Sequence, residues 1–118
     1  MIRLLGVAVV AILVASGCDS ADVSRAVGAR CDVKAECDER CQPPSPTFPA
    51  GFCTLSCLRP QDCPAGTRCV DIDGGICVFP CEADEECAFM GDRWGCVEQD
   101  AIPPQEGEVF VCLGSEES

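Results

Sequence analysis

Thirteen cysteines in a chain of 118 residues constrain this fold more than any other feature. Disulfides consume thiols in pairs, so an odd count leaves one cysteine with a different job. From Cys31 the spacing runs C-x5-C-x3-C-x11-C, then C-x5-C-x5-C-x7-C from Cys57, then C-x5-C-x8-C-x15-C from Cys81. These are three units of four, joined by identical C-x3-C steps at Cys53 to Cys57 and Cys77 to Cys81. Other residues repeat in phase. An acid precedes the second cysteine of every unit, in Glu36-Cys37, Asp62-Cys63 and Glu86-Cys87, and the joints align as GFCTLSC and GICVFPC. Internal duplication accounts for both patterns. The cysteine left outside them is Cys18.

Ahead of Cys18 the chain is of another kind. Arg3 is followed by LLGVAVVAILVA, Leu4 to Ala15, and then by the small residues Ser16 and Gly17. A charged start, an apolar run and small residues form an export signal, and the run is shorter than the roughly 20 residues that span a bilayer. The rest of the chain is poor in large apolar residues and strongly acidic, with 20 Asp and Glu against 8 Lys and Arg overall. Such a composition buries too little apolar surface to offset the entropy of ordering. Disulfides supply the difference, each contributing about 3 kcal/mol for a loop of about 15 residues, and they require an oxidising compartment. The expected fold is therefore small and disulfide-rich: three tandem four-cysteine modules with short β-hairpins and little helix outside the signal segment.

The middle unit carries the clearest hairpin. CVDIDGGICV alternates Val70, Ile72, Ile76 and Val78 around Asp73-Gly74, a type I′ turn signal. A two-residue loop there pairs Cys69 with Val78 and Val70 with Cys77, which puts Cys69 and Cys77 on opposite faces of the ribbon. Each then reaches back to the leading C-x5-C segment. Of the three pairings that four cysteines permit, this reading favours first with third and second with fourth: Cys57 with Cys69, Cys63 with Cys77, Cys31 with Cys41, Cys37 with Cys53, Cys81 with Cys96, and Cys87 with Cys112. In the third unit WGCVEQ and EVFVCL pair around a polar loop near Asp100 to Gly107. In the first unit QPPSPTFPAG takes the hairpin position, and its four prolines predict an extended, exposed loop in place of a ladder. Asp19 to Arg30 has neither cysteines nor turn chemistry and reads as a tether.

Two resemblances follow from these residues. Ala15, Ser16, Gly17 and Cys18 resemble the lipobox of bacterial lipoproteins, which implies cleavage between Gly17 and Cys18, a diacylglyceryl group on the Cys18 sulfur, and further acylation (palmitate) of the new amino terminus. Asp19 resembles the inner-membrane retention signal of enteric bacteria, and inner and outer membrane both stay open. The acid-Cys, Cys-Pro-Ala-Gly-x-x-Cys and Gly-x-Cys-x3-Cys pattern, from about Cys31 to Cys112, is similar to the Dickkopf amino-terminal type and EB-like cysteine-rich modules. That resemblance implies an extracellular interaction role and brings no catalytic residues. The expected organisation is a lipoprotein signal peptide over 1–17, a lipid-anchored tether over 18–30, units over 31–56 and 57–80, and a third unit with C-terminal tail over 81–118.

Chemistry narrows the function further. With no histidine and no tyrosine, Ser-His-Asp and Cys-His constellations and histidine metal sites are excluded. The cysteine steps match neither zinc knuckles nor a C-x-x-C redox motif. Asp71, Asp73 and Gly75 resemble the opening of a calcium loop whose later ligands are missing. The acids around Glu82, Asp84, Glu85 and Glu86 read as a solvated face. A net charge of −12 argues against nucleic acid and against adsorption to anionic lipid. Phe89, Met90 and Trp94 are candidates for an apolar contact patch. The expectation is a non-enzymatic, extracytoplasmic lipoprotein with no catalytic residue, metal or cofactor beyond covalent lipid on Cys18. It associates with the membrane through that lipid and displays its modules to a protein or envelope component. A protease inhibitor presenting QPPSPTFPAG, or a purely structural envelope spacer, is the alternative.

Overall fold

A computed structural model of the chain describes residues 23–115. Six short strands form three antiparallel hairpins, one per unit: β1 (Arg40–Gln42) with β2 (Phe52–Thr54), β3 (Arg68–Val70) with β4 (Ile76–Val78), and β5 (Trp94–Asp100) with β6 (Glu108–Gly114). Helix among the described residues is limited to short 3-10 turns, three of which fill the C-x5-C loops at Lys34–Glu36, Pro60–Asp62 and Asp84–Met90. Six disulfides join the first cysteine to the third and the second to the fourth in every unit: Cys31–Cys41, Cys37–Cys53, Cys57–Cys69, Cys63–Cys77, Cys81–Cys96 and Cys87–Cys112.

Those pairs are reached by a geometry other than the one expected. The third and fourth cysteines stand directly opposite each other in each ladder, Cys41 with Cys53, Cys69 with Cys77 and Cys96 with Cys112. Opposed residues share a face, so the idea that Cys69 and Cys77 lie on opposite faces is wrong. Both point at the leading loop, which lies across that face and is bolted to it twice. The register slipped because of one residue. The type I′ turn forms at Asp73-Gly74, both with positive φ, and the Gly75 amide donates to the Ile72 carbonyl. Asp71, however, bulges out of β3, its amide donating to the Asp100 carbonyl of the third unit, while Val70 bridges Ala101. A tertiary contact thus moved the pairing by one residue.

The units are stacked by a second repeated device. The amide of each fourth cysteine points away from its hairpin partner and donates to the carbonyl two residues before the unit's first cysteine. Cys53 bonds to Ala29, Cys77 to Leu55, and Cys112 to Phe79. Each C-x3-C joint therefore runs alongside the next hairpin, making the isolated bridges Ser56–Ile76 and Pro80–Val111. Residues 24–30 do the same for the first unit, so this part of the expected tether is docked on the body, while 18–22 lie outside the described residues. Val27 is buried, Gly28 donates to the Cys53 carbonyl, and Ser24 caps the turn through its Oγ.

Two glycines are required by this stacking. Gly51 and Gly75, at the same place in GFC and GIC, hold positive φ, and a Cβ on either would collide with the carbonyl of Cys31 or Cys57.

The first-unit loop also departs from expectation. β1 and β2 do form a ladder, and the loop between them is anchored: Phe48 and Pro49 are buried, and Pro43 to Thr47 form its exposed arc. The Thr47 carbonyl accepts the Gly114 amide, clasping the end of the third unit to the first. Phe48 stacks on Phe52, and Phe52 meets both Phe79 and Trp94. One core therefore runs through all three units. Prolines remove donors without forbidding burial of the phenylalanine between them.

Candidate interaction surface

The repeated acids turn out to hold the backbone. Glu36, Asp62 and Glu86 each accept a hydrogen bond from the amide just after their unit's first cysteine: Asp32 at 2.7 Å, Leu58 at 2.9 Å and Glu82 at 2.6 Å. The Asp32 amide holds the Glu36 carboxyl below its ordinary pKa, and the Leu58 amide does the same for Asp62. A carboxylate that receives backbone N–H groups favours its charged form. Each unit's acid-Cys pattern is thereby accounted for by loop closure.

The cysteines are similarly committed. Three sulfurs in each unit lie within 4.8 Å of one another, in Cys31/Cys37/Cys41, Cys57/Cys63/Cys77 and Cys81/Cys87/Cys112, because the two disulfides of a unit stack side by side. Disulfide sulfurs offer no thiolate to a metal. Six such bonds belong to an oxidising compartment outside the cytoplasm. Cys18 lies outside the described residues, as do Asp19 and the apolar segment before it.

Among the described residues, two surface clefts lie beside these loops. The first is an acidic cleft of about 410 Å³ where Asp71, Asp100 and Glu108 converge at the tip of the long β5–β6 hairpin. Beside it Glu108 shares a hydrogen bond with Glu98, which together with the like charge raises the Glu108 pKa. Asp73, the other acid of the calcium-like stretch, is taken up in accepting 2.7 Å from Gln42 Nε2 of the first unit.

The second feature is an apolar groove of about 680 Å³ between the N-terminal turn and the second unit. Its lining includes Ala26 and Val27, Pro64 and Ala65, and the rings of Phe79 and Phe89. Pro64–Thr67 is a closed turn: the Thr67 amide and hydroxyl both bond the Pro64 carbonyl, and Gly66 takes the positive φ that a type II turn requires. Of the expected patch Phe89, Met90 and Trp94, only Phe89 is exposed, at 43%, while Met90 and Trp94 are buried. Phe89 packs edge-on against Phe79 at 5.3 Å. The groove itself was missed in the sequence, because its walls come from three segments that the disulfides bring together.

Comparison with family models, curated proteins and solved structures finds no match. The groove is thus assigned by its own chemistry: an apolar, sparsely charged surface on a chain of net charge −12.

Proposed function

We propose that this chain is a non-enzymatic bacterial lipoprotein, anchored by lipid on Cys18 and presenting a rigid disulfide-stapled body to a protein or envelope partner. The observation that carries it is the thiol count. Twelve of thirteen cysteines pair among themselves, so Cys18 has no cysteine left in the chain to bond with. A lone exported thiol directly after an apolar segment and small residues is the acceptor that the lipobox resemblance implies. Multiple acyl chains, each gaining about 0.8 kcal/mol per buried CH₂, then hold the body at a membrane whose anionic surface repels it. Docking of the segment from Ser24 onward leaves a connection of only a few residues to the lipid, so the body rides close to the bilayer. Mass spectrometry of the Cys18 peptide from isolated membranes tests the anchor. A diacylglyceryl mass, with release of Cys18→Ala from the membrane fraction, supports it. An unmodified Cys18, or an unchanged location of the variant, overturns it.

A further inference from the structure

The groove has three properties that together select an occupant. Glu86 is the one charged residue among those lining it, on a chain in which 24% of residues are charged. Phe89 projects at its end with almost half its surface in water, although burying such a ring is favourable. Ser24, Ala26 and Val27 also line the groove, close to where the described body meets the part of the chain carrying Cys18. Val23, the first described residue, lines a second apolar cleft of about 320 Å³ on the other side of Phe89, with Met90 and Trp94. Cys18 is separated from Val23 by so few residues that the connection spans at most about 18 Å even when fully extended.

We propose that this groove seats an acyl chain of the lipid carried on the chain's own Cys18. The inference rests on the lipidation read under Proposed function. An acyl chain is apolar and thin, which suits a concave groove lined by a single charged residue, and it is tethered within reach, so its local concentration is high. A flat bilayer surface is a poorer occupant. It cannot fill the concavity, and it would press Asp84, Glu85 and Glu86, on the same 3-10 turn as Phe89, against anionic headgroups. Seating one chain exchanges one apolar environment for another while the remaining chains keep the protein anchored. It also buries Phe89 and shields the chain from water whenever the protein is away from a bilayer.

The test uses the mature protein isolated from membranes, before and after a lipase and an acylamidase remove its ester-linked and amide-linked acyl chains, with a dansylated fatty acid as probe. The enzyme-treated protein is expected to bind one equivalent of probe, and the untreated protein at least tenfold more weakly because its groove is filled. Ala65→Trp, which blocks the groove from its exposed wall, and Phe89→Asp should each weaken binding to the treated protein at least tenfold. Retention of all six disulfides, read by non-reducing mass spectrometry, certifies their fold. No probe binding after treatment, equal binding before and after, or undiminished binding by Ala65→Trp overturns the proposal. If the Cys18 peptide carries no lipid, the anchor reading falls and the tethered occupant with it. Probe binding to that unmodified protein would then identify the groove as a site for a free fatty acid, an outcome separate from failure of the groove itself.

Discussion

Glu36, Asp62 and Glu86 illustrate how a pattern that looks functional can be spent on the backbone. Their position before each second cysteine is visible in the sequence, but the amide they hold lies four residues upstream and only the closed loop reveals it. Asp62 has a depressed folded pKa, so its contribution to stability is complete above the ordinary carboxylate range and is lost as pH falls through the folded value. Asp62→Asn should therefore lower the thermal midpoint at neutral pH, by less than loss of a buried hydrogen bond, and match the parent in strong acid. Thermal scans across pH check this. Glu108 has the opposite sign. Its raised folded pKa means that the folded state binds the extra proton, and stability falls as pH rises through the window between the ordinary and raised values. Glu108→Gln should accordingly stabilise the protein at neutral pH and have no such effect in acid, again read as thermal midpoints.

At the scale of elements, the hairpins show where the sequence was legible and where it was not. Alternating Val70, Ile72, Ile76 and Val78 around Asp73-Gly74 announced the middle hairpin and its turn, because both signals are local. The register was not legible, since the residue that shifts it, Asp71, is drawn out by Asp100 of another unit. Proline-rich QPPSPTFPAG read as exposed because prolines argue against a ladder, yet Phe48 within it stacks on Phe52, and the neighbouring Thr47 is held by Gly114 of the third unit. The joints were legible as repeated spacing but not as bonding partners of the next hairpin. Their bonding is testable at Thr54, a fully buried side chain whose Oγ1 donates 2.6 Å to the Cys77 carbonyl and accepts 3.1 Å from the Cys77 amide. Thr54→Val keeps the shape and removes both bonds. It should cost about 1–3 kcal/mol, measured by denaturant unfolding of the disulfide-intact protein.

For the whole molecule, three units with a shared aromatic centre make one cooperative body. Phe52 touches Phe48 of its own unit, Phe79 of the joint between the second and third units and Trp94 of the third unit. Phe48→Ala should cost about 3–5 kcal/mol. It should also increase hydrogen exchange at the Gly114 amide, which the neighbouring Thr47 carbonyl holds from the first unit. Loss of protection confined to residues 43–52 would mean that the units unfold independently. The candidate groove belongs to this scale as well. No single stretch of sequence contains it, because Val27, Ala65 and Phe89 come from the N-terminal turn and the second and third units, and only their stacking makes a cavity.

The clasp between Thr47 and Gly114 also bears on how such a chain can evolve. Because every joint lies along the next hairpin in the same way, an array of this kind has no inherent length: a duplicated copy of 57–80 could be spliced in with each joint satisfied. Closure of the third unit onto the first, through Thr47 and Gly114, is the contact that a longer array would forgo. A four-unit protein made by that duplication should keep its disulfide pattern yet lose protection at the Gly114 amide, as the two ends of the array are driven apart.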